Sequence, residues 1–233
     1  MSINKEKYQE ILSALNGKAT LVAVSKTKPI EDIQALYELG HRDFGENYVQ
    51  ELVGKHEQLP KDIRWHYIGH LQSNKVKYIA PFIHLIHGAD GLSVLKEINK
   101  QALKNDRVID CLLQVHIARE ETKFGLDNQE LKKLFTTDID ALQELKQVCI
   151  RGFMGMASFS TNMDLVRNEF AYLKRLFDEY ASPPTPNPLT GRTGCHLSTL
   201  SIGMSADYKI ALEEGSNMVR IGSLLFGERN YNE

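Results

Sequence analysis

The sequence predicts an α/β protein folded as a single (β/α)8 barrel. Short apolar strand patterns alternate with amphipathic helix patterns along the whole chain, and eight strand candidates are found. The chain has 233 residues, near the ~250 typical of such barrels. An open doubly wound sheet fits eight alternating strands less well. We therefore expect one domain over residues 1–233, with an extra helix before the first strand.

Composition narrows the classes of function. The net charge is −2, from 28 basic and 30 acidic residues, which does not favour a nucleic-acid or membrane surface. The N-terminus has no apolar signal region and no segment is long enough to span a membrane, so we expect a cytoplasmic protein. The cysteines are odd in number, widely spaced and without a C-x-x-C pair, which predicts three reduced thiols: Cys111, Cys149 and Cys195.

The first elements follow from local signals. Residues 4–15 place apolar side chains on one helical face, and Asn16-Gly17 ends that helix. The run Leu21–Ser25 has no alternating polar residues, which is typical of a strand buried on both faces. Pro29 suits the first turn of a helix that runs from residue 30 to residue 39.

The second, third and fourth strands are each predicted to precede a helix. Their expected positions are residues 41–44, 64–68 and 82–87. Gly45-Glu46-Asn47 is expected as the loop that ends the second strand. The helices are expected to begin at Tyr48 and Ser73 and to cover about residues 92–104.

The second half of the chain continues the alternation. The fifth strand, at 108–117, is expected to be the longest, and the sixth is expected at 149–153. Helices are expected over 128–147 and 162–180, and the proline-rich segment 182–188 is expected as an exposed loop. The seventh strand has the weakest pattern. It is placed near 195–198, and the eighth at 217–221 precedes Gly222-Ser223 and a last helix.

Lys26 ends the first predicted strand. In a barrel its ammonium would leave the interior aimed at the mouth, in apolar surroundings that disfavour the charged form and make the amine a usable nucleophile. A solvated lysine at a strand end is the alternative. Lys28 is two residues later and would lie on the same face as Lys26, but it lies against Pro29 in the turn and is expected to point to solvent.

Small residues follow the last two predicted strands, where barrels commonly bind phosphate. Glycines let backbone N–H groups approach an anion, and hydroxyls add donors. Ser201, Gly222 and Ser223 are the phosphate candidates, whereas Ser205 is explained as the cap of the next helix. Strands one, seven and eight are adjacent in a closed barrel. Together with Lys26, this loop chemistry suggests a phosphorylated aldehyde held as a Schiff base.

Six segments spread over nearly the whole chain resemble the pyridoxal phosphate homeostasis protein family. They are Ala23-Val-Ser-Lys26, Phe44-Gly-Glu-Asn47, Trp65-His-Tyr-Ile-Gly-His-Leu-Gln-Ser-Asn-Lys75, Gly152-Phe-Met-Gly-Met156, Ser201-Ile-Gly-Met-Ser-Ala-Asp207 and Val219-Arg-Ile-Gly-Ser-Leu-Leu-Phe-Gly-Glu-Arg229. Their joint occurrence is highly specific. The resemblance implies a barrel like the N-terminal domain of alanine racemase, with pyridoxal 5′-phosphate as its cofactor.

The resemblance also implies a role for each matched residue. Lys26 would bind the cofactor aldehyde, and Arg220 would face the pyridine nitrogen. The remaining residues would hold the phosphate (Ser201, Gly222 and Ser223) or line the surroundings of the cofactor (Asn47 and His66).

The implied function is a carrier or buffer of pyridoxal phosphate that maintains vitamin B6 and amino-acid pools without robust catalysis of its own. An arginine against the ring nitrogen weakens the ring as an electron sink. Racemisation needs acid/base groups on both faces of the substrate carbon. Lys26 serves one face, and the opposing tyrosine of alanine racemase comes from a second domain. Tyr48 and Tyr67 are the local candidates to replace it, although both are explained equally well as packing residues, so a racemase of low activity stays the alternative.

A third hypothesis is a metal-dependent hydrolase using His66 and His70, whose i, i+4 spacing suits metal ligands on a helix. These two residues instead straddle a predicted strand end, and no matching carboxylate pair is found, so we predict no metal site. The expected partners are the cofactor and pyridoxal phosphate-dependent apoenzymes, not nucleic acid or a membrane. We expect a monomer.

Overall fold

Eight parallel strands form a closed barrel in chain order in the computed structural model, which describes residues 3–120, 124–181 and 195–227. The strands are β1 (Thr20–Val24), β2 (Asp43–Glu46), β3 (Arg64–Tyr67), β4 (Leu85–Ala89), β5 (Ile109–Gln114), β6 (Val148–Met154), β7 (Thr199–Ser201) and β8 (Met218–Ile221). The predicted fold class is confirmed.

Helices follow the strands and surround the barrel. Those within the described ranges are α1 (Lys5–Leu15), α2 (Ile30–Glu38), α3 (Val49–Gln58), α4 (Val76–Ile79), α5 (Leu92–Lys104), α6 (Asn128–Phe135), α7 (Ile139–Gln143), α8 (Met163–Ala181), α9 (Tyr208–Glu213) and α10 (Ser223–Phe226), with a 3-10 turn at Ser73–Lys75. None of these helices is long and apolar enough to cross a lipid bilayer.

The extra N-terminal helix α1 is present and capped at both ends. The Asn4 side chain accepts a hydrogen bond from the Lys7 N–H, and Asn16 ends the helix in the left-handed conformation with φ of 47°. The Asn4 N–H also donates to the carbonyl of Leu225 at 2.9 Å. Asn4, just before α1, is therefore joined to α10, the last helix of the described chain.

Apolar side chains pack on both faces of the sheet. Alternation along each strand sends one set of side chains into the barrel and the other toward the helices. The inner set forms a small cluster: Val22, Leu85, Leu112, Met154 and Met218. The outer set joins the helices in the main core, and it includes the fully buried rings of Phe44, Trp65 and Phe153. Few apolar residues therefore fill the barrel itself, which leaves its interior to polar side chains.

Several predicted strand positions were wrong. Gly45 and Glu46 belong to β2 rather than to a loop, and β4 begins at Leu85 instead of residue 82. Strand β7 is Thr199–Ser201, not 195–198, because its position is set by pairing with Gly152–Met154 of β6. The longest strand is β6, with seven residues, and β5 has six. Local sequence patterns do not reveal these pairings.

The prediction of three reduced cysteines was also wrong. Cys149 and Cys195 are joined by a disulfide with Cα atoms 5.5 Å apart. Cys149 lies in β6 and Cys195 precedes the neighbouring strand β7, so the barrel brings together two residues that are 46 positions apart in sequence. Cys111 is free and buried, and burial raises the pKa of its thiol. The predicted proline-rich loop lies outside the described residues.

Candidate functional site

A cavity of about 540 Å³ lies at the C-terminal mouth of the barrel, where barrels place their ligand sites. Its size suits a small organic molecule. Five of the seven residues singled out from the sequence line it: Lys26, Asn47, Arg220, Gly222 and Ser223. The other two, His66 and Ser201, are completely buried below the cavity and do not line it.

Lys26 reaches the cavity from the turn that follows β1. Side chains two residues apart in a strand point to the same face, so Lys26 follows Val22 and Val24, whose side chains face the barrel interior. Its two neighbours are held firmly. The Ser25 N–H donates to the Gly45 carbonyl at 3.0 Å, and the Thr27 N–H donates to Glu51 Oε1 at 2.6 Å. Thr27 has a φ of 62°, which is uncommon for a β-branched residue. The backbone that carries Lys26 is therefore fixed on both sides.

A buried ion pair supports this turn from behind. Lys55 on α3 donates to Glu46 Oε1 at 2.8 Å, to the Ser25 carbonyl at 2.7 Å and to Glu51 Oε1 at 2.6 Å. The Ser25 hydroxyl donates to the same Glu46 oxygen at 2.6 Å. Burial raises the pKa of Glu46 to about 7, although Lys55 and Ser25 act in the opposite direction. Sequence reasoning missed this pair because it read Glu46 as a loop residue.

Lys28 does not point to solvent, contrary to the prediction. Its Nζ donates to the Phe226 carbonyl at 2.8 Å and to the Gly227 carbonyl at 3.2 Å. Helix α10 ends beside the turn after β1, and its last carbonyl groups accept these hydrogen bonds. Lys28 therefore lines the cavity together with Lys26 but is anchored to the end of α10.

The loops after β7 and β8 form another side of the cavity. The Gly222 N–H lies 3.3 Å from Ser205 Oγ, and both residues line the cavity with Ser223. The predicted capping role of Ser205 was wrong, because Asp207 precedes α9 and accepts a hydrogen bond from the Met204 N–H at 2.6 Å. The sequence could have indicated Ser205 as a phosphate candidate, because it lies in the same small-residue loop as Ser201.

Arg220 projects from β8 into the base of the cavity. One guanidinium nitrogen, Nη1, donates to the carbonyl and to the hydroxyl of Ser201, both at 2.7 Å, and Nη2 donates to the Gly155 carbonyl at 3.0 Å. Burial lowers the Arg220 pKa to about 10, against the opposing effect of Asp207. The group therefore still carries its charge at neutral pH.

Asn47 supplies an unusual polar atom. Its Oδ1 is buried and has no hydrogen-bond partner in the described part of the chain. A buried acceptor without a partner is costly, so such atoms indicate a missing ligand, water or partner. Because Asn47 lines the cavity, this atom is a contact available to a bound molecule.

The two histidines of the metal hypothesis have different partners. His66 contacts Asp43 inside the barrel, whereas His70 Nδ1 is 3.0 Å from Asp90 Oδ2 and its ring stacks on that of Phe124. A different trio, which sequence reasoning missed, comes closer together: Asp43, His66 and His84 have potential ligand atoms within 4.8 Å of one another.

A guanidinium already occupies the carboxylate of that trio. Arg64 Nε donates to Asp43 Oδ1 at 2.7 Å, and a second Arg64 nitrogen contacts Oδ2. A cation there would have to displace this bidentate ion pair. The arrangement therefore favours a structural role for the trio.

Comparison with known proteins assigns the family. The family model for the alanine racemase N-terminal domain matches residues 4–230. The pyridoxal phosphate homeostasis protein of Aquifex aeolicus (strain VF5) is 42% identical over 214 residues, which cover 91% of this chain and 88% of that protein. The chain belongs to the pyridoxal phosphate homeostasis protein family.

Solved structures agree with this family. PipY of Synechococcus elongatus PCC7942, with PLP bound, superimposes with a TM-score of 0.81 and is 31% identical, covering 95% of this chain and 99% of that one. The alanine racemase of Clostridium difficile 630 has a TM-score of 0.70 at 14% identity, covering 99% of this chain and 59% of that one. The homeostasis protein family thus shares its barrel with one part of alanine racemase, and at this identity the likeness shows the fold alone.

Proposed function

We propose that this protein binds pyridoxal 5′-phosphate in the cavity at the C-terminal mouth and carries or buffers it for vitamin B6 and amino-acid homeostasis. The observation that carries the proposal is the convergence of a lysine amine, a cluster of hydroxyl and N–H donors and a buried guanidinium on one cavity. The names of the relatives and the PLP bound to PipY support the choice of ligand.

The donor set fits the cofactor group by group. When bound, pyridoxal phosphate would supply a reactive aldehyde that a lysine amine can hold reversibly. Lys26 would be that lysine. The phosphate would be held by Gly222, Ser223 and Ser205, which offer an N–H group and two hydroxyls. Arg220 would face the ring nitrogen, and Asn47 Oδ1 would gain the hydrogen-bond partner that it lacks.

The surroundings favour holding the cofactor over using it. Arg220 keeps its charge, so it disfavours protonation of the ring nitrogen and weakens the ring as an electron sink. Tyr67 packs outside the barrel, where its hydroxyl donates to the His70 carbonyl at 3.1 Å, and Tyr48 is exposed. Among the described residues that line the cavity there is no tyrosine to serve as the second acid/base group.

The proposal extends to the organisation and partners of the protein. Residues 1–233 act as one cofactor-binding domain, which is supported by the contact between α1 and α10 at opposite ends of the chain. The protein acts as a cytoplasmic monomer and hands the cofactor to pyridoxal phosphate-dependent apoenzymes.

An absorption spectrum with added pyridoxal phosphate, followed by borohydride reduction and peptide mapping, tests the site. We expect a new visible band and a pyridoxyl group on Lys26. The matched control is Lys28→Ala, which removes the other lysine in the cavity and keeps the adduct on Lys26, whereas Lys26→Ala abolishes it. An adduct on Lys28, or no adduct in the wild-type protein, contradicts the proposal.

The absence of robust catalysis has its own test. We expect the cofactor-loaded protein to leave the α-protons of amino acids in place during incubation in deuterium oxide, as followed by NMR. Exchange that disappears in Lys26→Ala would establish an enzyme instead of a carrier.

A further inference from the structure

A line of polar side chains crosses the barrel interior from the cavity toward the N-terminal mouth. Arg220 Nη1 is 2.7 Å from Ser201 Oγ, which is 3.2 Å from His87 Nδ1. His87 Nε2 is 3.0 Å from His66 Nδ1, and His66 Nε2 is 3.0 Å from Asp43 Oδ1. The line uses both ring nitrogens of both histidines.

These five residues lie where a barrel is usually filled by apolar layers. All five are buried: Ser201 and His87 are 0% exposed, His66 is 1%, and Arg220 and Asp43 are 4% and 8%. Buried polar groups are costly unless each is hydrogen-bonded. A complete chain of hydrogen bonds meets that requirement.

The two ends of the chain fix the direction of the hydrogen bonds that they make themselves. A guanidinium only donates, so Ser201 Oγ accepts from Arg220. An ionised carboxylate only accepts, so His66 Nε2–H donates to Asp43. If both imidazoles are neutral, His87 Nε2–H must donate to His66 Nδ1. The Ser201 hydroxyl then donates to His87 Nδ1.

Two other arrangements satisfy the same contacts, each with one doubly protonated ring. A doubly protonated His87 would donate to both His66 and Ser201. A doubly protonated His66 would donate to both Asp43 and His87, and His87 would then carry its proton on Nδ1 and donate to Ser201. The charges already present disfavour an imidazolium at either position. The charge of Asp43 is already matched by Arg64, which donates to both carboxylate oxygens, and a second buried cation there would lack an anion of its own.

The pKa shifts agree with this choice. Burial alone would raise the Asp43 pKa, but the hydrogen bonds from Arg64 and His66 outweigh it and hold that pKa well below its usual range. Burial, together with the charge of Arg220, holds the pKa of His87 well below its usual value, so a proton on both nitrogens of His87 is disfavoured.

We propose that His66 and His87 are positioning residues for Arg220: as neutral Nε2–H tautomers they hold the Ser201 hydroxyl as an acceptor for the guanidinium. The inference rests on the proposed function only in its last step, that Arg220 meets the ring nitrogen of the cofactor. Ser201 then acts by holding Arg220, not by contacting the phosphate. His66 acts from below the cavity through His87, not as part of the cavity wall.

The first test uses the cofactor-free full-length protein. In ¹⁵N-histidine-labelled protein near pH 8, the nitrogen shifts and the couplings to ring protons identify which nitrogen carries hydrogen. His66→Gln and His87→Gln assign the two signals. We expect both residues to be neutral with the proton on Nε2. A proton on Nδ1 of His87, or an imidazolium at His66, overturns the inference.

The second test is cofactor affinity. His87→Gln and Ser201→Ala each are expected to weaken pyridoxal phosphate binding about tenfold, the size of one lost buried hydrogen bond. The double variant is expected to lose little more, because both changes break the same chain. The matched control is His84→Gln, an exposed histidine whose ring packs beside that of His66, and it is expected to bind normally.

The two proposals fail in different ways. If wild-type protein gives no adduct on Lys26 but both tautomers are as expected, the chain of hydrogen bonds stands and the cofactor proposal fails. If the adduct forms but His87→Gln binds the cofactor as tightly as His84→Gln, the histidines position nothing for the cofactor.

Discussion

At the scale of single residues, the approach of a ligand to the backbone depends on the small residues after β7 and β8. A Cβ atom on Gly222 would lie 3.1 Å from the Val24 carbonyl oxygen and 3.3 Å from the Val24 Cβ. Glycine therefore lets the start of α10 pack against the end of β1. Its N–H group lies beside Ser205, so the three donors proposed for the phosphate form one wall of the cavity.

We predict that Ser205→Ala and Ser223→Ala weaken the binding of pyridoxal phosphate and leave the binding of pyridoxal nearly unchanged. Each hydroxyl would donate to the charged phosphate, and the loss of such a hydrogen bond costs about 1.5–3 kcal/mol, or roughly tenfold or more in affinity. Absorption titrations with the two ligands measure the difference.

Ser160→Ala is the matched control, since Ser160 lines the cavity but belongs to the loop after β6. It is expected to bind both ligands as the wild type does. Equal losses for pyridoxal and its phosphate in Ser205→Ala would place that hydroxyl at the ring and not at the phosphate.

Positions at the cavity were predictable only where the signal was local. Lys26 follows a continuous apolar run, and Gly222 stands in a loop of small residues, so the sequence singled out both and both line the cavity. The contact between His66 and His87 depends on the register of two strands and on the parity of each histidine within its strand. Neither quantity can be read from a sequence before the barrel is known.

At the scale of elements, α3 is joined to the turn after β1 by the buried pair of Glu46 and Lys55. Glu46 is 0% exposed and Lys55 is 6% exposed, and Glu46 Oε2 has no hydrogen-bond partner within the described residues. A buried ion pair adds little net stability, but the removal of one partner leaves an uncompensated charge. This pair therefore matters most when it is broken on one side.

We predict that Lys55→Met destabilises the protein by about 3–5 kcal/mol near pH 8, because Glu46, ionised in the unfolded chain, then has to be buried without its cation or take up a proton on folding. The double variant Glu46→Leu with Lys55→Met is expected to recover most of that loss, since no buried charge remains. Urea unfolding of the cofactor-free protein measures both. A double variant no more stable than Lys55→Met would show that packing, not charge, sets the cost.

The loss of stability in Lys55→Met is expected to depend on pH. Burial raises the pKa of Glu46 to about 7, above its unfolded value of about 4.3. The folded state therefore binds more protons than the unfolded state between these values, and the stability contributed by Glu46 falls as pH rises through this window. Lys55 lowers the Glu46 pKa, so without Lys55 the fall continues to higher pH. The loss in Lys55→Met is thus expected to be smaller near pH 5 than near pH 8, and an equal loss at both would contradict the assignment.

Elements were predictable where their own sequence determines them, as for β1 and α5. Strand β7 was misplaced because its three residues, Thr199–Ser201, contain a single large apolar side chain and owe their conformation to β6. Strand β2 was cut short because Glu46 resembles a loop residue. The charge of Glu46 is compensated by Lys55, nine positions later in α3, and local propensities do not reveal that pairing.

At the scale of the whole molecule, the barrel is closed unevenly. Strands β7 and β8 are in register through one residue pair, Ser201 and Met218, whereas β8 and β1 share four such pairs. The residues proposed to hold the phosphate follow β7 and β8, and Lys26 follows β1. A ligand that contacts all three loops would therefore bridge the least-paired part of the barrel.

We predict that the cofactor-free protein exchanges backbone hydrogens fastest, among its strands, in β7 and the start of β8, and that pyridoxal phosphate slows this exchange. Short ladders open locally at low free-energy cost, and a bound ligand stabilises only the closed state. Hydrogen–deuterium exchange with mass spectrometry on peptides covering residues 199–222 measures the effect.

Peptides covering β4 and β5 (residues 85–114) lie on the far side of the barrel and serve as the internal control, and Lys26→Ala is expected to reduce the protection. Equal slowing in both regions would mean that the ligand tightens the barrel as a whole and that the β7–β8 pairing is not its weak point.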